Sequence, residues 1–344
     1  MSYEIMAPLM FLGLVLFLLK GYPVAFSLAA NGLLFAILGI YGGFFEFALL
    51  QALPERVFGI ISNQLLLAIP FFTLMGLVLE RSGMAEDLLE TVGQLFGSVR
   101  GGLAYAVILV GALLAATTGV VAASVIAMGL ISLPIMLRYG YDKRLATGVI
   151  AASGTLAQII PPSLVLIVLA DQLGASVGDM YRGALLPGLV LAGLYVAYVL
   201  AVTLVRPAAA PALPAAARPL RGAALARRAI VSMVPPLALI FLVLGTIFLG
   251  IATPTEGGAL GATGALLLAA MRRRLTRTVL TQAMDSTARL TSFVVFILIG
   301  STVFSLVFRG VDGDRWVEGL LTQLPGGAAG FLIVVNLFVF GLAF

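Results

Sequence analysis

Ala151-Ala-Ser-Gly-Thr-Leu-Ala-Gln-Ile-Ile-Pro-Pro-Ser163 lies inside an apolar run, 145–170, long enough to read as a membrane span. Pro161 and Pro162 remove two backbone donors in mid-span, and Ser153-Gly-Thr155 lies two turns earlier. A proline inside a helix deletes a hydrogen bond and crowds the preceding turn. In hydrocarbon, backbone groups freed in this way must line a cavity or find partners within the protein. The stretch therefore reads either as a proline kink or as two half-helices with an unwound centre. The second reading sets Ser153, Gly154, Thr155, Gln158, Pro161, Pro162 and Ser163 near the midplane, where discontinuous helices of secondary transporters hold ions and substrates. Gln158 either orients a polar substrate or satisfies backbone freed by the prolines.

The composition agrees with a membrane setting. Of 344 residues, 61% are apolar and 10% are charged. Soluble domains carry about 25% charged residues, so this surface faces something other than water. Cys and His are both absent. That leaves no disulfide, no thiolate or imidazole metal site and no histidine base, and it removes the usual equipment of an intramembrane enzyme. No Gly-x-x-x-x-Gly-Lys-Ser/Thr motif is present, so transport energy must come from an ion gradient or a separate subunit. The net charge of +5 reads as loop charge that sets topology, with no nucleic-acid footprint. The first residues lack the basic region of a secretory signal and read as a retained span.

Apolar segments near 5–20, 24–45, 58–80, 102–118, 120–137, 145–170, 184–205, 229–250, 256–271, 287–308 and 328–344 predict an all-α polytopic membrane protein. The pair 102–118 and 120–137 is either a re-entrant hairpin or two crossings; both return the chain to the same side. With the N-terminus outside, sixteen of the twenty Lys and Arg fall on the inner side. The positive-inside rule therefore selects that orientation.

The chain reads as two halves, 1–206 and 229–344, joined by an Ala-, Pro- and Arg-rich cytoplasmic linker, 207–228. Gly21-Tyr-Pro-Val-Ala in the first half resembles Ala252-Thr-Pro-Thr-Glu in the second. The first half comprises spans within 1–80, an amphipathic arm 83–99, a hairpin 102–137, the broken helix 145–170 and a span 184–205. The second comprises spans within 229–308, an arm 310–325 and the start of a second hairpin, 328–344. Met84, Leu88, Leu89, Val92, Leu95 and Phe96 share one face of the first arm; Trp316, Leu320, Leu321 and Leu324 share one face of the second. Such helices suit the membrane interface. The two arms fall on opposite sides, so the repeat is expected to be inverted, as in many secondary transporters. The counterpart of 117–206 is missing from the second half, and the sequence is expected to be C-terminally truncated.

Other polar positions read less sharply. Thr117, Thr118 and Gly119 place hydroxyls and a turn at membrane depth, either as hard oxygen ligands for Na⁺ or as a close helix contact. Ser62-Asn63 and Pro70 are expected to interrupt the third span, with Asn63 either at a site or in a helix-to-helix hydrogen bond. Asp171 and Glu256 lie near outer span ends, and Thr253-Pro-Thr-Glu256 reads as a capped helix start. Basic clusters 138–144 and 272–277 read as topology anchors.

The chain resembles the large membrane subunit (DctM-like) of tripartite ATP-independent periplasmic, or TRAP, transporters. The resemblance rests on Ile69-Pro-Phe-Phe-Thr-Leu-Met-Gly76, Ala116-Thr-Thr-Gly-Val-Val-Ala-Ala-Ser124, Gly140-Tyr-Asp-Lys-Arg-Leu-Ala-Thr-Gly148, Ala152–Ser163 and Gly250-Ile-Ala-Thr-Pro-Thr-Glu256. Gly257-Gly258 departs mildly from the family pattern. The resemblance implies an elevator-type, Na⁺-coupled importer of organic acids in the bacterial inner membrane, with a periplasmic N-terminus. It implies a small four-helix membrane subunit as a separate chain and a periplasmic substrate-binding protein, and no cofactor beyond Na⁺ as coupling ion. It also implies ion and substrate sites at the hairpin tip Thr117–Gly119 and the broken helix Ser153–Ser163: Thr117, Thr118, Gly119, Ser153, Gly154 and Thr155 are expected to bind Na⁺, and Gln158, Pro161, Pro162 and Ser163 to shape the substrate site, to which the residue reading adds Asn63. A stand-alone Na⁺-coupled carboxylate symporter or ion antiporter of similar fold is the alternative.

Overall fold

The computed structural model describes residues 3–118, 121–218, 220, 222–322 and 326–342; among them every regular element is a helix. In chain order, α1 is Tyr3–Leu19, α2 Val24–Tyr41, α3 Leu53–Ile61, α4 Ala68–Arg81 and α5 Met84–Phe96. Then come α6 Gly102–Thr118, α7 Val121–Arg138, α8 Lys143–Thr155, α9 Leu164–Leu173 and α10 Val177–Val205. The chain continues with α11 Gly222–Phe248, α12 Pro254–Met271, α13 Arg277–Gly310, α14 Gly313–Thr322 and α15 Gly327–Leu342. Among the described residues, five segments are long and apolar enough to cross a membrane: Val24–Tyr41, Gln64–Arg81, Val177–Val205, Gly222–Phe248 and Arg277–Gly310.

The third span is divided, but not by Pro70. Helix α3 stops at Ile61, a 3-10 turn covers Gln64–Leu67, and Pro70 lies in the first turn of α4. A first-turn proline costs little, because its missing N–H would have no partner within the helix anyway.

Contacts divide the chain into two compact units, Met1–Asn63 with Ser292–Phe344, and Gln64–Thr291. This division follows packing. It differs from the expected sequence halves, and each unit draws segments from both.

In the first unit, Met6, Met10, Phe35, Val307 and Val311 form the core, with Trp316 packed partly buried against it. Asn31 is fully buried and donates from Nδ2 to the Met10 carbonyl at 2.8 Å, tying α2 to α1. Gly32 and Gly300 let helices approach closely: a Cβ on Gly32 would lie 3.0 Å from the Phe304 backbone. One on Gly300 would lie 3.1 Å from the Ala25 Cα. Without a hydrophobic drive between helices in lipid, contacts of this kind supply dispersion energy.

In the second unit, α5 packs its apolar face on α6 and α11. Met84, Leu88, Leu89 and Val92 are buried there, while Leu95 is exposed. Its acidic face is held too: Asp87 pairs with Arg274 at 2.7 Å and with Arg272 at 3.4 Å, and Glu90 pairs with Arg228 at 2.7 Å. Two residues of the 272–277 basic cluster thus also clasp the first arm. Helix α12 packs tightly on α4, where a Cβ on Gly261 would lie 2.5 Å from Met75 Sδ and one on Gly258 would lie 3.0 Å from Phe71 Cβ. Gly257-Gly258 is therefore part of a close-packed face. Tyr141, between α7 and α8, is buried, and its hydroxyl accepts from the Leu103 N–H at 3.1 Å. Burial pushes this phenol up to about 12.

The segment after α10 is stitched down. Backbone bonds join Gly101 N–H to Ala210 O (2.9 Å), Asp142 N–H to Ala209 O (2.8 Å) and Leu213 N–H to Gly97 O (2.8 Å). Ala210 and Leu213 are buried.

Candidate ion and substrate site

The stretch with the double proline is two half-helices. Helix α8 ends at Thr155, a single 3-10 turn covers Leu156–Gln158, and α9 starts at Leu164. The Ile159 and Ile160 N–H groups both turn back to Leu156 O, at 3.0 and 2.9 Å. Pro161 and Pro162, joined by a cis peptide, lead to Ser163 in extended conformation. Ser163 is fully buried and caps α9. Its hydroxyl donates to Gln158 O at 2.7 Å and accepts from the Leu166 N–H at 3.5 Å. The chain thus satisfies much of the backbone that the prolines disrupt, using one hydroxyl.

Side chains from α6, α7 and α10 close around this break. A Cβ on Gly111 of α6 would lie 2.8 Å from Ser153 Cβ. A Cβ on Gly154 would meet Val125 of α7, 3.2 Å from its Cα. Tyr181 of α10 is fully buried and donates from its hydroxyl to Ser163 O at 3.5 Å. A Cβ on Gly188 would come within 3.0 Å of Ile160 Cγ1. The hairpin and the broken helix therefore meet through glycine on both sides, at the level of Ser153.

Ser153 is 0% exposed, and its Oγ has no hydrogen-bond partner among the described residues. A buried hydroxyl left unpaired costs about 1–3 kcal/mol. A bound water or ion would satisfy such a group; Thr73 Oγ1 and Ser132 Oγ are other buried hydroxyls without a partner among the described residues.

The expected site residues divide as follows. Ser153, Gly154, Pro161, Pro162 and Ser163 are buried together at the break. Thr155 is exposed and bonds its own helix at Ala152 O, 2.7 Å away. The Gln158 side chain is exposed, and its carbonyl serves Ser163. Asn63 is half-buried and belongs to the other compact unit. Thr117 and Thr118 end α6, but their side chains and Gly119 lie outside the described residues. Glu256 closes a capping box with Thr253, accepting from the Thr253 N–H at 2.8 Å, and is exposed. Asp171 lies in the last turn of α9 and accepts from Gln172 Nε2 at 3.1 Å. Tyr181, Gly111, Val125 and Gly188 were not legible as site residues. Each sits in an ordinary apolar or small-residue run, and only the fold brings it to the break.

Comparison with known proteins identifies the family. The model of the family described as tripartite ATP-independent periplasmic transporter, DctM component, matches residues 11–344. The chain belongs to this family. A C4-dicarboxylate TRAP transporter large permease protein DctM of Pseudomonas aeruginosa is 32% identical over 83% of this chain and 66% of its own length. Its namesake in Vibrio cholerae is 30% identical over 96% of this chain and 75% of its own. A sialic acid TRAP transporter large permease protein, SiaM, of Vibrio cholerae is 27% identical over 93% and 72%. The chain thus spans 66 to 75% of the length of these three relatives. In this member of the family, Leu156–Ser163 is the interruption between α8 and α9, and α6 and α7 pack beside it.

Proposed function

We propose that this chain is the large permease subunit of a Na⁺-coupled secondary transporter that imports organic acids across a bacterial inner membrane. A periplasmic binding protein delivers the acid, and a small four-helix membrane subunit completes the complex. The positive-inside rule supports a periplasmic N-terminus, since that orientation sets sixteen of the twenty basic residues on the inner side. The family description as tripartite and periplasmic supports both partners. Two relatives carry C4-dicarboxylate in their names and a third sialic acid, and the chemistry these cargoes share is a carboxylate.

The observation that carries the reading is Ser153: a fully buried hydroxyl in the last turn of α8, just before the unwound stretch, with no hydrogen-bond partner among the described residues. Hydroxyl and carbonyl oxygens are hard ligands suited to Na⁺. The Na⁺ site we propose combines Ser153, Gly154 and Thr155 with Thr117, Thr118 and Gly119 at the hairpin tip. Gln158 and Pro161–Ser163 shape the substrate side. Helix α6 has 17 residues, about 26 Å of helix against a hydrocarbon core of about 30 Å, which supports a re-entrant hairpin. The halves 1–206 and 229–344 then act as inverted repeats of an elevator-type carrier, joined through 207–228.

The test is uptake of a radiolabelled dicarboxylate or sialic acid into proteoliposomes containing the chain, its small membrane subunit and its loaded binding protein. Uptake is expected only with an inward Na⁺ gradient. Equal uptake when K⁺ replaces Na⁺ removes the coupling. Full uptake without the binding protein makes the chain a stand-alone symporter.

A further inference from the structure

A cleft of about 580 Å³ opens in the second unit between the start of α8, the last turns of α10 and the segment after it. Its walls are apolar, with Leu145 and Val149 on one side and Val202 and Val205 on the other. Its rim carries two cations, Arg144 and Arg206, both exposed. Neither makes an ion pair among the described residues. The acid in the lining, Asp142, is committed elsewhere: its Oδ1 accepts from the Leu145 N–H at 3.0 Å, capping α8. Its backbone N–H holds Ala209, which forms part of the same wall.

The surroundings define the occupant. Helix α10 leaves Leu204 72% and Val205 79% exposed beside the cleft, an apolar flank at the end of a 29-residue span. Such a flank suits the hydrocarbon of a bilayer. Tyr198 also lines the cleft, roughly 12 Å from Arg206 along the helix at 1.5 Å per residue. Unpaired guanidinium groups above an apolar groove that continues into a lipid-facing surface complement an anion with a hydrocarbon tail. Arginine matches phosphate oxygens by paired N–H donors. Basic pockets between membrane helices on the cytoplasmic side take anionic headgroups in the same way.

We propose that this cleft binds an anionic phospholipid of the inner leaflet, with its phosphate at Arg144 and Arg206 and an acyl chain along Leu145, Val149 and Val205. The leaflet rests on the orientation proposed above; the binding itself does not.

The test is native mass spectrometry of the purified chain titrated with phosphatidylglycerol or phosphatidylcholine. Wild type is expected to retain one phosphatidylglycerol in preference to phosphatidylcholine. Losing each arginine is expected to weaken that first binding event about fivefold, roughly 25-fold for R144Q/R206Q. R144K/R206K keeps the charge and is expected to hold the lipid within a few-fold of wild type. R315Q, an exposed arginine outside the cleft, is expected to change nothing. The proposal is overturned if wild type does not discriminate between the lipids, or if R315Q weakens binding as much as the double variant. It is also overturned if inorganic phosphate alone displaces the lipid, which would make the rim a phosphate site. Should R144Q/R206Q fail to fold, the wild-type salt titration decides: phosphatidylglycerol retention must fall with added NaCl. Because no transport is measured, failure here leaves Na⁺ coupling standing, and loss of coupling leaves this site standing.

Discussion

Two interruptions within the second unit, Thr155–Ser163 and Leu249–Thr253, use similar residues in opposite surroundings. Each ends one helix, includes or adjoins proline, and starts the next helix with a hydroxyl cap. After α11, Gly250 turns the chain at φ +72 and Ile251 N–H returns to Thr246 O at 2.9 Å, closing the helix end in the usual glycine manner. Thr253 and Glu256 then satisfy each other in an exposed capping box, with Pro254 in the first turn. In the other interruption the prolines precede the cap, so the backbone stays extended where a helix would otherwise continue. The cap is buried, and a second hydroxyl, Ser153, is buried without a partner among the described residues. The first arrangement ends a span; the second holds one open. The difference lies in water: an exposed cap can exchange partners with solvent, whereas a buried one cannot.

Adding bulk should separate the two most strongly. Gly154→Val forces a branched side chain into Val125, and overpacking of this kind is expected to cost about 3 kcal/mol. Gly250→Val meets nothing within 4 Å and bears only the left-handed backbone, a strain of about 1–2 kcal/mol. Thermal or denaturant unfolding in detergent measures both, and uptake should be lost only with Gly154→Val. Equal destabilisation would erase the distinction.

The caps come next. Ser163→Ala removes bonds to Gln158 O and to the Leu166 N–H in a buried place, with an expected loss of about 2 kcal/mol. Thr253→Ala, at the exposed box, should lose about 1 kcal/mol. If Thr253 proves the more costly, the contrast between buried and wet caps fails.

The smallest effect on stability carries the most information, because its sign reverses. Ser153→Ala deletes a buried hydroxyl that is unpaired among the described residues and should leave the ion-free protein as stable or up to about 1 kcal/mol more so. The same change should weaken Na⁺ activation of uptake on the order of tenfold, about 1.4 kcal/mol of lost ligation. A destabilised variant with unchanged Na⁺ activation would make Ser153 a packing residue.

The helices and the break were legible because their signals are local. Twenty-residue apolar runs, a Pro-Pro pair and Thr-Pro-Thr-Glu each dictate backbone behaviour within a few residues. Pro70 misled because a proline only interrupts when its N–H would have had a partner, and that depends on where α4 begins. The partners of the break were not legible. Gly111 and Val125 look like any small-residue helix contact, and Tyr181 looks like a span-end aromatic. Their roles arise from contacts across 18 to 42 positions of chain, which no local pattern encodes. The same limit applied to Arg272 and Arg274: as charges they read as topology anchors, and only packing reveals Asp87 between them.

The bonds that fasten 209–213 to Gly97, Gly101 and Asp142 bear on anyone who would cut or label this chain. Its Ala- and Pro-rich composition invites a protease site or a fluorescent insertion anywhere along it. Yet a break near Ala210 would sever a seam that closes three loops at once, and two co-expressed fragments would have to restitch it to regain the fold. Pro214–Ala216, exposed and one step beyond the seam, is the place to open the chain without unpicking it.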